Sequence, residues 1–217
     1  MSTKPVRIVL VDDHQMFREG LAEVLTREKD FQVCGQAADR QQALAVIGST
    51  HPDLALVDLS LPDASGIELI KDLRARHPKL AVLVVSMHEE SLFAERALAA
   101  GARGYLTKQQ ATRQLVAAIR RVLAGEIVAS EKLAQHALAQ LAGHSHDRPS
   151  IGKLSDRETQ VLELIGHGFN NRQIADRLHL DLTTIETYRA RIKEKLGLKD
   201  ATELLQHAIR WAHRDSP

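Results

Sequence analysis

Residues 54–58 read Leu54-Ala55-Leu56-Val57-Asp58, four apolar side chains in a row closed by a carboxylate. The run is too short for a buried helix and lacks the alternation of a strand with one face in water. It therefore predicts a strand covered on both sides, as in parallel sheets. On either side of it, similar short runs rich in β-branched residues stand at 6–11, 31–34, 81–85 and 104–106. The five runs are followed in turn by helical patterns at about 15–26, 39–48, 66–76, 90–100 and 111–124. Strand and helix in strict alternation predict βα units, and five of them predict an α/β doubly wound domain with a five-stranded parallel sheet over residues 5–125.

After Gly125 only helical patterns remain. Residues 130–142 read as one more amphipathic helix, and 143–153 gather the polar and chain-breaking residues of a flexible linker, so 126–150 is assigned to a linker helix and linker. His144 and His146 fall in that linker and are read as solvated side chains rather than metal ligands. From 151 to 217 a small all-α domain is expected. Ser155-x-x-Glu158, Asn170-x-x-Gln173 and Asp200-x-x-Glu203 have capping-box spacing, Asp181 can cap a further helix, and Gly168 and Gly197 stand at helix stops. The short turn 179–181 between helices at about 171–178 and 182–196 has helix-turn-helix spacing.

The 29 Lys and Arg against 28 Asp and Glu leave a formal charge of only +1, which excludes a polycation that coats nucleic acid by bulk charge. Any nucleic-acid surface must be a local patch. With 44% hydrophobic and 26% charged residues the chain has the composition of a folded globular protein. Cys34 stands alone, no Cys/His cluster has zinc-ligand spacing, and a reducing cytoplasm is expected, with Cys34 a buried small residue. The longest apolar stretch, 80–85, is far too short to cross a membrane, and the first residues lack a signal-peptide core.

Asp12 and Asp13 close the first strand run and Asp58 the third, so a doubly wound sheet brings all three to the carboxyl edge where such folds bind ligands. Carboxylates at close quarters repel one another, and a hard divalent cation, Mg²⁺, relieves that repulsion. Ser86 ends the fourth run and Lys108 follows the fifth. A carboxylate nucleophile (Asp58), a metal site and a fixed cation together suit phosphoryl transfer. Taken singly, each residue reads equally well as a helix cap or a solvated loop charge.

Asp12-Asp13, Val57-Asp58-Leu59-Ser60-Leu61-Pro62 with Gly66, Val84-Val85-Ser86 and Gly101-Ala102-Arg103-Gly104-Tyr105-Leu106-Thr107-Lys108 together resemble the receiver domain of two-component response regulators, which is flavodoxin-like. The resemblance implies that Asp58 accepts a phosphoryl group from a sensor histidine kinase. It implies that Asp13, Asp58 and the Ser60 backbone carbonyl hold Mg²⁺, that Asp12 acts through the metal's hydration shell, and that Lys108 contacts the phosphoryl oxygens. Ser86 and Tyr105 match the family's switch pair, a hydroxyl drawn to the phosphoryl group and a ring that turns inward. Gln109 stands where many receivers have proline, and Leu61 where methionine is frequent.

In the 182–196 helix an apolar stripe at 185, 188, 192 and 196 is expected to pack inward. Residues 189–199 carry Arg189, Arg191, Lys193, Lys195 and Lys199 against Glu194, a local charge of 5 − 1 = +4 in a chain whose total is +1. The basic side chains are candidates for DNA phosphates, while Thr184, Glu186, Thr187 and Ala190 lie toward the end that meets base edges in a major groove. Glu186 can accept from a cytosine amino group, and Thr187 or Ala190 can pack on a thymine methyl. From charge alone a solvated bundle helix is an equal reading. The strings 154–162, 168–178 and 184–197 resemble the LuxR-type helix-turn-helix of NarL/FixJ response regulators over about 151–212. That resemblance implies groove entry by 182–196 and dimerisation, often through the helix at about 201–213. Tyr188, Glu186 and Leu182 depart from the family's common residues.

The combined reading is a cytoplasmic DNA-binding transcriptional regulator, not an enzyme, activated at Asp58 and acting as a homodimer on double-stranded promoter DNA, with RNA polymerase as a further partner and no membrane contact. Two other readings stay open. A Mg²⁺-dependent phosphohydrolase would use Asp58 as nucleophile, but its usual second aspartate is replaced by Ser60. A receiver acting through protein contacts alone would leave the basic helix without a role.

Overall fold

In a computed structural model, residues 4–62, 65–87, 90–130, 154–178 and 180–212 are described. All of the expected helix at 130–142 but its first residue, and most of the linker, with His144 and His146, lie outside the described residues. Contacts divide the chain into two units, Met1–Gly143 and His144–Pro217.

The first unit runs β1 (Val6–Val11), α1 (Gln15–Thr26), β2 (Phe31–Ala37), α2 (Arg40–Thr50), β3 (Leu54–Val57), α3 (Gly66–Arg76), β4 (Ala81–Ser86), α4 (Glu90–Ala100), β5 (Gly104–Thr107) and α5 (Lys108–Leu123). The sheet is parallel with order β2-β1-β3-β4-β5, as five βα units require. Alternate strand residues serve opposite faces. Val9, Val11, Val57, Val84 and Tyr105 pack with α2, α3 and α4, whereas Ile8, Leu10, Leu56, Val85 and Leu106 pack with α1 and α5. Burial of each such side chain contributes roughly 1.5–3 kcal/mol, which makes this two-sided core the main support of the strand edge that carries the site.

Three boundaries differ from expectation. β2 continues past Cys34 to Ala37, with a register shift that pairs Ile8 with Val33 and Val9 with Gly35. Cys34 occupies this irregularity and is half-buried rather than buried. Gly35 is what lets α2 approach, since a Cβ there would lie 2.3 Å from Val46 Cγ1. α5 begins at Lys108 instead of 111, because Thr107 and Gln110 form a reciprocal capping box. Residues 126–130, assigned from the sequence to the start of the linker, close the β5 edge: Tyr105 N–H donates to the Val128 carbonyl at 2.8 Å and Val128 N–H to the Arg103 carbonyl at 3.0 Å. An edge strand leaves backbone groups unpaired, and buried Val128 covers them.

The second unit holds α6 (Asp156–Gly166), α7 (Asn171–Leu178), α8 (Leu182–Leu196) and α9 (Ala201–Ala212) among its described residues. α6 packs on α9 and α8 around Val161, Leu162, Ile165, Ile185, Ile192, Leu204 and Trp211. Ser155 and Glu158 form a capping box, and Asn170 and Gln173 cap reciprocally at 3.0 Å in each direction. The third box slips by one: Asp200 accepts the N–H groups of Thr202 and Glu203, but the Glu203 carboxylate takes the Lys199 N–H. Asp181 holds the N-cap position of α8 without a side-chain capping bond.

Candidate functional site

The carboxyl ends of β1, β3, β4 and β5 bring Asp12, Asp58, Ser86 and Lys108 to one edge, all of them buried. Lys108, the first residue of α5, reaches back so that its Nζ lies 2.7 Å from Asp12 Oδ2 and 2.8 Å from Asp58 Oδ2. Asp12 Oδ1 accepts the His14 N–H at 2.8 Å, and Asp58 Oδ1 the Ser60 N–H at 3.2 Å. Burial, reinforced by the charge of Asp58, pushes the Asp12 carboxyl above its ordinary range despite Lys108. For Lys108 burial works downward, but Asp58 and Asp12 outweigh it, and the ammonium is held charged.

The ligand atoms of Asp12, Asp13, His14 and Asp58 all lie within 4.8 Å of one another. Asp58 Oδ2 is fully buried, with the Lys108 ammonium beside it but no donor in hydrogen-bonding geometry. Converging carboxylate oxygens with one left short of donors fit a hard, oxygen-seeking cation. His14 offers nitrogen instead: its Nδ1 lies 2.6 Å from Asp13 Oδ1, and its side chain is half-exposed.

Sequence reasoning missed three supports of this pocket. They are His14, Phe17, whose ring centroid lies 4.5 Å from Lys108 Nζ, and Arg18, which donates to the Asp12 carbonyl and, at 3.2 Å, to Gln36 Oε1. The available signal was position: α1 starts two residues after the Asp12-Asp13 pair, so its first turn stands over the pocket. Ser86 and Tyr105 point to the same face of the sheet, because Val84 pairs with Tyr105 and Ser86 with Thr107. Tyr105 is 1% exposed, its ring turned inward among the side chains packed on α3 and α4. Ser60 stands two residues beyond Asp58, bridged to Ser65.

On α8 the expected stripe separates into buried Ile185 and Ile192 and half-buried Tyr188 and Leu196. Glu186, Thr187, Ala190 and Arg191 are exposed, while Thr184, Arg189 and Lys193 are half-buried. Burial makes the Arg189 guanidinium easier to deprotonate than usual. Lys195 turns back to the domain, donating to Glu158 Oε2 at 2.7 Å. It is held in an ion pair within the fold, a contact invisible to a count of charges along the helix.

Comparison with known proteins agrees with both halves. Residues 8–120 match the response regulator receiver domain, and residues 152–208 match the bacterial regulatory proteins of the luxR family. The response regulator GacA of Pseudomonas aeruginosa is 36% identical over 97% of this chain and 99% of its own. The nitrate/nitrite response regulator protein NarL of Escherichia coli is 34% identical over 98% and 97%. The DNA-binding transcriptional activator DevR/DosR of Mycobacterium tuberculosis is 34% identical over 91% of each chain. Among solved structures, RcsB of Salmonella enterica serovar Typhimurium, bound to promoter rprA in the presence of phosphomimetic BeF3-, superposes with a TM-score of 0.63 at 25% identity, covering 95% of this chain and 99% of that one. Among the described residues no helix is long and apolar enough to cross a membrane. The chain belongs to the response regulators, as a receiver domain joined to a LuxR-type DNA-binding domain.

Proposed function

We propose that Asp58 is the phosphoacceptor of this regulator and that its phosphorylation by a sensor histidine kinase favours a DNA-binding homodimer. The observation that carries the reading is the Lys108 ammonium held between Asp12 and Asp58 in a buried pocket of carboxylates. In the transfer, an Asp58 carboxylate oxygen forms the new P–O bond as the donor histidine's P–N bond breaks, and the freed imidazole takes up a proton. Asp13, Asp58 and the Ser60 carbonyl, with Asp12 close by, would hold Mg²⁺, which when bound would supply charge neutralisation for the phosphoryl oxygens. Lys108 stays charged and contacts those oxygens. Ser86, on the face it shares with Tyr105, donates its hydroxyl to the new dianion, and Tyr105 carries the change toward α4.

The receiver takes 5–125 together with 126–130, which complete its sheet edge, the linker runs on to 150 and the reader takes 151–217. In the reader, Thr184, Glu186, Thr187 and Ala190 face base edges, while Arg189, Arg191 and Lys193 serve phosphates and Lys195 does so only on leaving Glu158. Dimerisation through α9 has support in its exposed Leu205 and Ile209, four residues apart on one face. The protein works in the cytoplasm by regulated promoter binding, in reach of RNA polymerase, and turns over no substrate of its own. Mapping bound DNA genome-wide for wild type and Asp58→Asn under inducing conditions tests the switch. Occupancy that falls in the variant supports it, and identical occupancy sinks it.

A further inference from the structure

Lys108 ends in a flexible four-carbon stem, and holding its head in one place costs rotamer freedom. Two carboxylates hold it in the structure, but neither survives phosphorylation unchanged. Asp58 would become an acyl phosphate whose negative charge sits on the outer oxygens, and Asp12 would be shared with the hydration shell of a bound metal. A third contact is indifferent to both events. The Phe17 ring lies against the Lys108 ammonium at 4.5 Å, and its own position is fixed by α1, where it packs on the core face shared by α1 and α5. The ammonium is almost wholly removed from water, the condition under which attraction to an aromatic face is strongest. The next residue, Arg18, ties the same turn of α1 to the Asp12 carbonyl.

We infer that Phe17 is a positioning residue for phosphoryl transfer, with its ring holding the Lys108 ammonium over the pocket while the charge on Asp58 moves outward. The inference rests on Asp58 being the phosphoacceptor. Phe17 touches neither phosphoryl group nor metal and acts only through Lys108. Leucine at 17 keeps apolar packing but offers no π face, whereas tyrosine keeps the face.

The test is a double-mutant cycle on the full chain. Acetyl phosphate is the donor, with MgCl2 present and phosphoryl uptake timed by intact mass. The Asp58 carboxylate forms the P–O bond and acetate leaves with the electron pair of the broken one. Phe17→Leu is expected to slow uptake roughly five- to tenfold, and Phe17→Tyr to stay within about twofold of wild type. In a Lys108→Ala background Phe17→Leu should change nothing further. If Lys108→Ala takes up too little to time, the same cycle is read in beryllofluoride affinity, and melting midpoints identify any variant that has lost its fold. Unaltered uptake in Phe17→Leu, or an equal loss with and without Lys108, overturns the positioning role. Phosphorylation that persists in Asp58→Asn, or that is absent from wild type, overturns the phosphoacceptor reading and the positioning role with it. Uptake lost in Asp58→Asn but normal in Phe17→Leu overturns the positioning role alone.

Discussion

Lys195 of α8 donates to Glu158 Oε2 at 2.7 Å, and the same oxygen accepts the Ser155 N–H at 2.6 Å. One buried carboxylate therefore caps α6 and anchors the far end of α8. Burial alone would raise the Glu158 pKa, but the bonds from Lys195 and Ser155 outweigh it and hold the carboxyl below its ordinary 4.5. The charged form is favoured by folding, so the stabilisation is complete above the ordinary value and is lost as pH falls through the lower folded value. Glu158→Gln should cost the reader about 1–2 kcal/mol at neutral pH and flatten this acid limb. Urea midpoints from about pH 7 down to about pH 3 give the comparison, and parallel limbs in both proteins would remove the carboxylate from the account.

The ion pair also separates the basic residues of α8 by role. Arg191→Ala should reduce the slope of log affinity against log salt by about one contact on a fixed promoter fragment. Lys195→Met should leave that slope nearly unchanged while lowering the reader's urea midpoint. Equal slope losses for both variants would place Lys195 on DNA instead.

Glu186 is exposed on α8 and is an acid in the half of the helix that would meet base edges. Replacing it with Gln is expected to lose about 1–3 kcal/mol of preference for cytosine at one operator position, with affinity for other sequences unchanged or improved. Selection from randomised sites with each protein reads this directly. Identical base preferences would remove Glu186 from sequence readout.

Magnesium should stabilise the receiver by binding the folded pocket. Saturation to about 100 times the dissociation constant corresponds to about 2.7 kcal/mol, visible as a rising melting midpoint across a MgCl2 titration. Asp13→Asn is expected to flatten that rise. A midpoint insensitive to Mg²⁺ in wild type would refute the metal assignment.

Gly66 opens α3 directly beneath the loop that follows Asp58. A Cβ there would lie 2.4 Å from the Asp58 carbonyl oxygen and 2.6 Å from Leu59 Cα, both backbone atoms that cannot swing aside. Gly66→Ala should destabilise the receiver by about 2–3 kcal/mol and weaken Mg²⁺ binding by shifting Asp58. Calorimetry of the variant with and without Mg²⁺ measures both effects.

The strand and helix pattern was legible because its signals are local. Apolar runs such as 54–57 and 6–11 gave strands with those bounds, and Asn170 with Gln173 capped α7 as their spacing required. The expected run ends at Cys34 while β2 runs on to Ala37: Gly35 has no side chain to declare its packing, and the reason for glycine there is a neighbouring helix. The start of α5 was missed although Thr107-x-x-Gln110 has the spacing of a capping box.

For the site, local sequence is enough to say which chemistry stands at the strand ends. Asp12, Asp13, Asp58, Ser86 and Lys108 each follow a recognisable run, and a parallel sheet aligns the ends of its strands. Which partner each charge takes follows from the packing of the folded chain. Phe17 meets Lys108 because α1 and α5 cover the same sheet face, and Lys195 meets Glu158 because α8 crosses α6, 37 residues away along the chain. Periodicity and capping are fixed by neighbours within a turn or a strand, whereas the pairing of buried charges depends on how whole elements pack.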